Sequence, residues 1–162
     1  MTADSIAPIG SRSDFQDTIR SVFARAREEG AREILLVDPD FVTWPLNDRA
    51  VVASLADWAE SARSLTVLAH NYDELARRQT RFVEWRRQWA HVVHCRQDPE
   101  LEAEQLPTLM LVPGLVCVRL LDRLRFRGTC SNRPLDLTEA RETLDALLQR
   151  SVEAFPVTPL GL

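Results

Sequence analysis

The stretch Glu33-Ile-Leu-Leu-Val-Asp-Pro-Asp40 decides the fold class of this chain. An uninterrupted apolar run of this length, closed by a turn-forming Asp-Pro-Asp, is typical of a strand that is buried on both faces. The same pattern returns at Leu65-Thr-Val-Leu-Ala69 and at His91-Val-Val-His-Cys95. Strands of this kind belong to parallel sheets that carry helices on their faces.

Amphipathic segments precede and separate these strands. The first helix is predicted to begin at a Ser13 cap, with Gln16 reaching back, and to end at Gly30. Further helices are predicted over residues 47–62 and 71–89, where apolar side chains recur at helical spacing. Helical connections between successive strands require right-handed crossovers, so the three strands should lie parallel in one sheet.

The pattern changes after residue 107. Three further strand-like segments, separated by Pro113-Gly114 and by a tight turn at Asp122-Arg123, cover residues 108–112, 115–121 and 124–130. A final helix follows, capped by Asp136 with Glu139, and its apolar stripe extends to Phe155. The predicted fold class is therefore α/β: a mixed sheet with three parallel strands linked by helices, then a C-terminal antiparallel meander and a final helix.

The length of 162 residues suits one domain with a sizeable core. We expect that domain to cover residues 13–155. Residues 1–12 are small, polar and broken by Pro8 and Gly10, which predicts a flexible leader. Residues 156–162 form an apolar C-terminal tail.

The composition removes several classes of chemistry. All 20 basic residues are arginine, so neither a Schiff-base lysine nor a P-loop lysine is present. The formal charge of -4 argues against nucleic acid as a partner. The three cysteines form no CxxC pair, which indicates neither a disulfide framework nor a zinc site. We expect no cofactor and no bound metal.

The same survey bears on localisation. The first residues lack the pattern of a signal peptide, and no apolar run is long enough to cross a bilayer. We therefore expect a cytoplasmic protein without a membrane partner.

Four side chains near the predicted strand ends suggest an enzymatic alternative. Asp38 and Asp40 follow the first buried strand, His70 follows the second, and His94 lies late in the third. The carboxyl ends of parallel strands meet at one edge of a sheet, where ligands gather. Two carboxylates and two imidazoles could hold a divalent metal or share a proton, as in a hydrolase or phosphotransfer enzyme. Capping and packing roles explain the same residues without chemistry.

The stretch Cys117-Val-Arg-Leu-Leu-Asp-Arg-Leu-Arg-Phe-Arg-Gly-Thr-Cys-Ser-Asn132 resembles the phospholipase D hairpin, an HxKxxxxD motif followed by a GSxN-like turn. In this resemblance Cys117 stands where the family has its nucleophilic histidine, and Arg119 stands where it has its lysine. Asp122 falls two residues early, while Gly128 and Asn132 approximate the closing turn. The predicted order of elements is similar to one half of the phospholipase D fold, as in a degenerate, half-size member.

The resemblance implies a binding or scaffold module without catalysis, because a thiol is a poor substitute for an attacking imidazole. It also implies a homodimer, since single-domain members of the family pair two halves across a two-fold axis. Candidate anion contacts are Arg119 and Asn132 together with three arginines predicted to alternate on one strand face, Arg123, Arg125 and Arg127. The chain is also similar to arginine-rich proteobacterial proteins of this length, a resemblance that implies no activity.

Two other surfaces could take a partner. The third predicted helix combines five arginines with tryptophans and could grip a single-stranded nucleic acid, although solvated arginines beside core tryptophans explain the same pattern: Arg77, Arg78, Arg81, Arg86, Arg87, Trp85 and Trp89. The C-terminal tail could add to a protein partner or dock on its own domain.

Overall fold

The computed structural model describes residues 3–60 and 62–157. Eight strands form one sheet: β1 (Ile6–Ile9), β2 (Glu33–Val37), β3 (Ser64–Leu68), β4 (Val93–Gln97), β5 (Thr108–Val112), β6 (Val116–Asp122), β7 (Arg127–Ser131) and β8 (Val152–Glu153). The helices are α1 (Arg12–Glu29), α2 (Arg49–Trp58), α3 (Asp73–Arg78), α4 (Thr80–Gln88) and α5 (Pro134–Gln149), with a single 3₁₀ turn at Ala103–Gln105.

The strand order in the sheet is β1-β7-β6-β5-β2-β3-β4-β8. Strands β2, β3 and β4 are parallel, and every other pairing is antiparallel. The predicted mixed sheet of three parallel strands, a C-terminal meander and a final helix is therefore confirmed. The uninterrupted apolar runs form central strands because both faces of the sheet are covered.

The covering helices form two layers. Helices α1 to α4 pack on one face through a large cluster that includes Phe15, Leu55 and Phe82. Helix α5 packs on the other face through a smaller cluster with Ala140 and Leu144. Side chains alternate along each strand, so neighbouring residues of β2 enter different clusters. No helix within residues 3–60 and 62–157 has the length and apolar character to cross a bilayer.

The helix boundaries differ from the predictions where side chains bind the backbone. The hydroxyl of Ser11, not Ser13, caps α1 by accepting from the Asp14 N–H at 3.1 Å, and Gly30 ends the helix as predicted, with φ of 63°. The third predicted helix is two helices that break at Gln79. The buried Gln79 amide donates to the carbonyl oxygens of Phe41 and Trp44 at 2.9 and 2.7 Å, which fixes the break against the loop after β2.

Both edge strands of the sheet lie where no strand was predicted. Residues 6–9, expected in a flexible leader, form β1 and pair antiparallel with β7. Helix α5 begins at Pro134, ends at Gln149 and does not extend to Phe155. The chain then turns back, and β8 pairs with β4. Of the predicted C-terminal tail, residues 158–162 lie outside the described residues.

The turn between β6 and β7 is longer than the predicted tight turn at Asp122-Arg123. Strand β6 continues to Asp122, and residues 123–126 form the turn. The Asp122 carboxylate accepts from the N–H groups of Leu124 and Arg125 at 3.1 and 3.2 Å, which stabilises this turn. The predicted alternation of arginines along one strand face is therefore wrong, because only Arg127 lies in a strand.

Candidate functional site

Cys117 lies in the middle of the meander on the face covered by α5. It is buried with Leu109, Leu111 and Leu144 and lies directly opposite Ser131 in the register of β6 and β7. Paired residues of an antiparallel ladder point to the same face, and so do residues two apart in one strand. Arg119 and its register partner Thr129 therefore lie on this face too. We call Cys117, Arg119, Ser131 and Asp136 the hairpin site.

Ser131 connects the strand to the start of α5. Its buried hydroxyl donates to the Asp136 carboxylate at 2.5 Å and accepts from the Arg133 N–H at 3.1 Å. The Arg133 guanidinium also lies 3.9 Å from the same carboxylate. Sequence reasoning did not select Ser131, although its register with Cys117 follows once the hairpin is closed. These contacts hold α5 against the hairpin.

The electrostatics of Cys117 keep its thiol protonated. The pKa of Cys117 is raised to about 11, mainly by burial and also by the nearby Asp136 carboxylate, while Arg119 opposes the shift. The thiolate, not the thiol, is the nucleophilic form of cysteine. The three histidines of the chain, His70, His91 and His94, all lie outside the hairpin. The hairpin site therefore offers neither an imidazole nor a thiolate for attack at neutral pH.

The two best anion candidates differ in their availability. The Arg119 guanidinium is half-buried and makes no hydrogen bond or ion pair with any residue that the structure describes. The Asn132 amide is occupied, because its oxygen accepts from the Ser5 N–H at 2.5 Å and its nitrogen donates to the Ala3 carbonyl at 3.1 Å. Asn132 thus anchors the segment before β1, whereas the Arg119 donors have no partner among the described residues. Anion binding by either residue stays a prediction.

The three arginines of the turn are not brought together on one face. Arg123 donates to the carbonyl oxygen of Leu106, and Arg125 pairs with Asp122 at 3.0 Å. Arg127 is exposed at the start of β7. Anion binding by these three residues remains a prediction, but two of them already have protein partners.

Gly128 is required by the close approach of the strands. A Cβ atom at this position would lie 1.9 Å from the carbonyl oxygen of Arg119 and 2.8 Å from the Cα of Leu120. The pairing of β6 and β7 shifts register between Leu120 and Asp122, next to this glycine. The glycine of the motif therefore has a structural explanation in this chain.

The predicted enzymatic residues Asp38 and Asp40 serve the turn after β2. Asp38 is buried, and its carboxylate accepts from the N–H groups of Asp40 and Phe41 at 3.1 and 2.8 Å and from the Thr108 hydroxyl. Burial raises the pKa of Asp38, while these hydrogen bonds oppose the shift. Asp40 accepts from the Val42 N–H at 3.1 Å. Both carboxylates thus act as local acceptors for backbone groups.

The two histidines do not join these carboxylates. His70 follows β3, and its Nδ1 lies 3.1 Å from the carbonyl oxygen of Leu101. His94 is the second residue of β4, opposite Thr66, and not at the carboxyl end as predicted. Asp38 and Asp40 line one cavity, whereas His94 lines another. Within the described ranges, no three His, Cys, Asp or Glu side chains are grouped closely enough to hold a metal ion.

Sequence comparison does not assign this chain to a family. No protein-family model matches it. No curated protein matches it either.

Comparison with solved structures shows which fold the chain has. The chain has the fold of an α/β domain shared by three chains that are only 9% to 11% identical in sequence. Nuc from Salmonella typhimurium, a phospholipase D family member, superimposes with a TM-score of 0.64 over 95% of this chain and 100% of its own. NucT from Helicobacter pylori gives a TM-score of 0.63 over 94% of this chain and 100% of its own. The protein thus has a phospholipase D-like fold, as the hairpin motif predicted.

The third similar structure extends beyond this domain. TrmBL2, an archaeal chromatin protein with a novel mode of DNA binding, gives a TM-score of 0.64 over 92% of this chain. This chain spans about half of TrmBL2, 54% of its length. The same fold therefore occurs in proteins with different described roles, and the site residues must carry the functional argument.

Proposed function

We propose that the protein is a non-catalytic phospholipase D-like domain that acts as a homodimeric binding or scaffold module. The observation that carries this proposal is the buried, protonated Cys117, which the motif resemblance aligns with the family's nucleophilic histidine. The phospholipase D reaction needs one imidazole to attack phosphorus and a second to protonate the leaving group. No histidine lies on the hairpin, and a neutral thiol beneath α5 replaces neither group.

Arg119 supports binding without catalysis. Its guanidinium, a planar group with several N–H donors, has no acceptor among the residues described. It lies on the same face as Cys117 and two strand positions from it. The Arg119 guanidinium could donate hydrogen bonds to a phosphate or carboxylate group of a partner, but the site has no nucleophile to attack it.

Apolar side chains around the hairpin support the dimer. Leu121 and Leu124 are 76% and 91% exposed, and both lie at the β6–β7 turn. Isolated exposed leucines are common, but these two neighbours offer an apolar surface for a second copy. The family resemblance implies pairing through a two-fold axis, and we place that axis at the hairpin end.

Hydrolysis of bis(p-nitrophenyl) phosphate tests the loss of catalysis. We expect the purified protein to give the same rate as buffer. Turnover that disappears in Cys117→Ala but persists in Cys130→Ala would contradict the proposal. Cys130 is the matched control because it lies on the adjacent strand and is half-buried.

Light scattering after gel filtration tests the dimer. We expect twice the chain mass of 18.4 kDa at micromolar concentration, and a single chain mass for the double variant Leu121→Glu with Leu124→Glu. Val152→Glu is the control, since Val152 is also exposed but lies in β8 at the other edge of the sheet. A wild-type mass of one chain would exclude the homodimer and leave the absence of catalysis standing.

We do not expect nucleic acid to bind the arginines of α3 and α4. Arg77 and Arg78 pair with Glu74, Arg87 pairs with Glu84 at 3.3 Å, and Arg81 donates to the Asn47 carbonyl at 3.0 Å. Nucleic-acid affinity depends on free cations and falls steeply with salt. Fluorescence anisotropy with labelled single- and double-stranded DNA at low salt should show no binding, and salt-dependent binding would reopen the chromatin-protein comparison.

A further inference from the structure

A group of basic side chains lies beside β4, on the other side of the sheet's strand order from the hairpin site. A cavity of 650 Å³ opens there between α4, the outer edge of β4 and the segment that follows α5. We call it the β4 cavity. Its lining includes Arg86, His94, Arg96 and Glu153. The volume falls within the range of about 300–1,000 Å³ that is usual for small-molecule sites.

Arg86 is the unusual residue of this cavity. Only 6% of it is exposed, and its Nε has no hydrogen-bond partner. No carboxylate in the described ranges lies within ion-pair distance of its guanidinium. A guanidinium cannot lose its proton to escape burial, so an unpaired buried arginine is costly to the fold. Such a residue is expected where an anion completes the site.

The groups around Arg86 do not supply that anion. The Phe155 ring lies 4.7 Å below the guanidinium carbon, and this cation–π contact offsets part of the cost of burial. Burial raises the pKa of Cys95 to about 11 and raises the pKa of Tyr72 as well, so both side chains are neutral at pH 7. Phe155 stacks in turn on Tyr72 at 5.0 Å, which holds the aromatic wall in place.

Two further basic groups border the same cavity. The Arg96 Nε and Nη2 donate to the Ser151 hydroxyl and carbonyl at 2.9 and 2.8 Å, which fixes the side chain and leaves its Nη1 without a partner among the described residues. His94 is exposed on the same strand face. Glu153 lies opposite Arg96 in the register of β4 and β8 but makes no ion pair with either arginine.

From these observations we propose that the β4 cavity binds an oxyanion, a phosphate or carboxylate group carried on a small molecule, with Arg86 as its anchor. Arg96 borders the entrance at the sheet edge and adds positive charge, and the exposed His94 beside it offers a ring nitrogen for hydrogen bonding. Phe155 forms an apolar wall beside the anion group. The site is independent of the hairpin site, so its failure would leave the proposed function unchanged.

Thermal unfolding with inorganic phosphate and with succinate, at constant ionic strength, tests this proposal. At a roughly tenfold excess over Kd, one of the two anions should raise the Tm of the wild type by about 3–6 °C. The better anion identifies the chemistry of the ligand. The rise should disappear in Arg86→Met and persist in Arg87→Met, a variant of the exposed neighbour on the same helix. An equal rise in Arg86→Met, or no rise with either anion in the wild type, would overturn the proposal.

A second measurement does not require a folded Arg86 variant. The imidazole resonances of His94, assigned by their loss in His94→Gln, should shift during the titration with the better anion. Those of His91 should not, because His91 is exposed and does not line the cavity. Equal shifts of both histidines would indicate non-specific binding and would contradict the site.

Discussion

Polar residues near β6 and β7 differ from those near β4 in whether the protein itself supplies their hydrogen-bond partners. At the β6–β7 end, Ser131 binds Asp136, Asn132 binds the segment before β1, and Arg125 binds Asp122. At the β4 end, Arg86 is buried beside an aromatic ring with no acceptor among the residues described.

This difference separates residues that hold the fold together from residues that are available to a ligand. At the hairpin site, where the family resemblance places chemistry, Ser131 and Asp136 bind each other, while Arg119 has no partner among the described residues. The β4 cavity has no counterpart in the motif, yet it retains unsatisfied charge. Unpaired buried charge therefore points to the proposed oxyanion site, whereas the motif resemblance points to the hairpin.

The largest expected effect tests the structural role of the motif glycine. Gly128→Ala should destabilise the protein by about 3 kcal/mol or more, because the added Cβ would meet the backbone of β6 at 1.9 Å. Gly114→Ala is the control, since its φ is 76° but no atom lies within 4 Å of the added Cβ, and it should cost about 1 kcal/mol. Urea unfolding measures both. Equal losses would show that the hairpin strands can separate to admit a side chain.

Removal of the Asp38 carboxylate should have the next largest effect. Asp38→Ala leaves two backbone N–H groups and the Thr108 hydroxyl without an acceptor, at a cost of about 2–3 kcal/mol at pH 7. Asp38→Asn keeps an acceptor without the charge and should stay within about 1 kcal/mol of the wild type. Urea unfolding at pH 7 compares the two variants, and similar losses in both would contradict the role of the acceptor.

A comparison of the wild type with Asp38→Asn also tests the pH dependence of stability. The folded-state pKa of Asp38 lies above its ordinary value of 3.8 because of burial. Its contribution to the free energy of unfolding is therefore complete below pH 3.8 and is lost as the pH rises through the folded-state pKa. The difference between wild type and Asp38→Asn should fall as the pH rises, and a difference that grows would contradict the shift.

Substitution of Arg86 should change the free energy of unfolding by a smaller amount and with the opposite sign, and substitution of Arg119 is its counterpart near the hairpin. Arg86→Met should raise the free energy of unfolding by about 1 kcal/mol without added anion, because an apolar side chain of similar length removes a buried unpaired charge. Arg119→Met should change it by less than about 0.5 kcal/mol, since Arg119 is half-buried and has no partner that the structure describes. Denaturation in phosphate-free buffer measures both, and a loss in Arg86→Met would show that the arginine stabilises the fold.

An effect of similar size is expected at the connection between β7 and α5. Ser131→Ala should cost about 1 kcal/mol, because the buried hydroxyl binds both Asp136 and the Arg133 N–H. Thr129→Ala, on the same face of the same strand, makes no such bond within the described residues and should change stability by less. Thermal unfolding distinguishes the two variants. Equal losses of stability would show that the Ser131 hydrogen bonds do not stabilise the fold.

Sequence reasoning predicted the central strands well and the edge strands poorly. β2 and β5 are apolar runs that are buried whatever their neighbours, so local composition identifies them. β1 is short and contains Pro8, and it is a strand only because β7, far along the chain, pairs with it. Residues 123–126 alternate like a strand, but the Asp122 carboxylate folds them into a turn.

The candidate sites show the same division. The position of Cys117 in the motif could be read from the sequence, and so could the absence of a hairpin histidine. Arg86 lies four residues after Phe82 and therefore on the buried stripe of its helix, a signal that was available. Its isolation from carboxylates was not, because it depends on the segment around Phe155 returning to β4.

The sequence by itself determined the class of fold, because buried strands and amphipathic helices can be recognised from the local spacing of apolar residues. It also excluded lysine chemistry and a hairpin imidazole, because these are matters of composition. Only the tertiary structure decided which polar groups are satisfied. Asn132 is hydrogen-bonded by the distant Ser5, whereas the distant segment around Phe155 gives Arg86 an aromatic ring and no carboxylate. Burial and hydrogen bonding are properties of the packed molecule, and they separate structural polar residues from those left for a ligand.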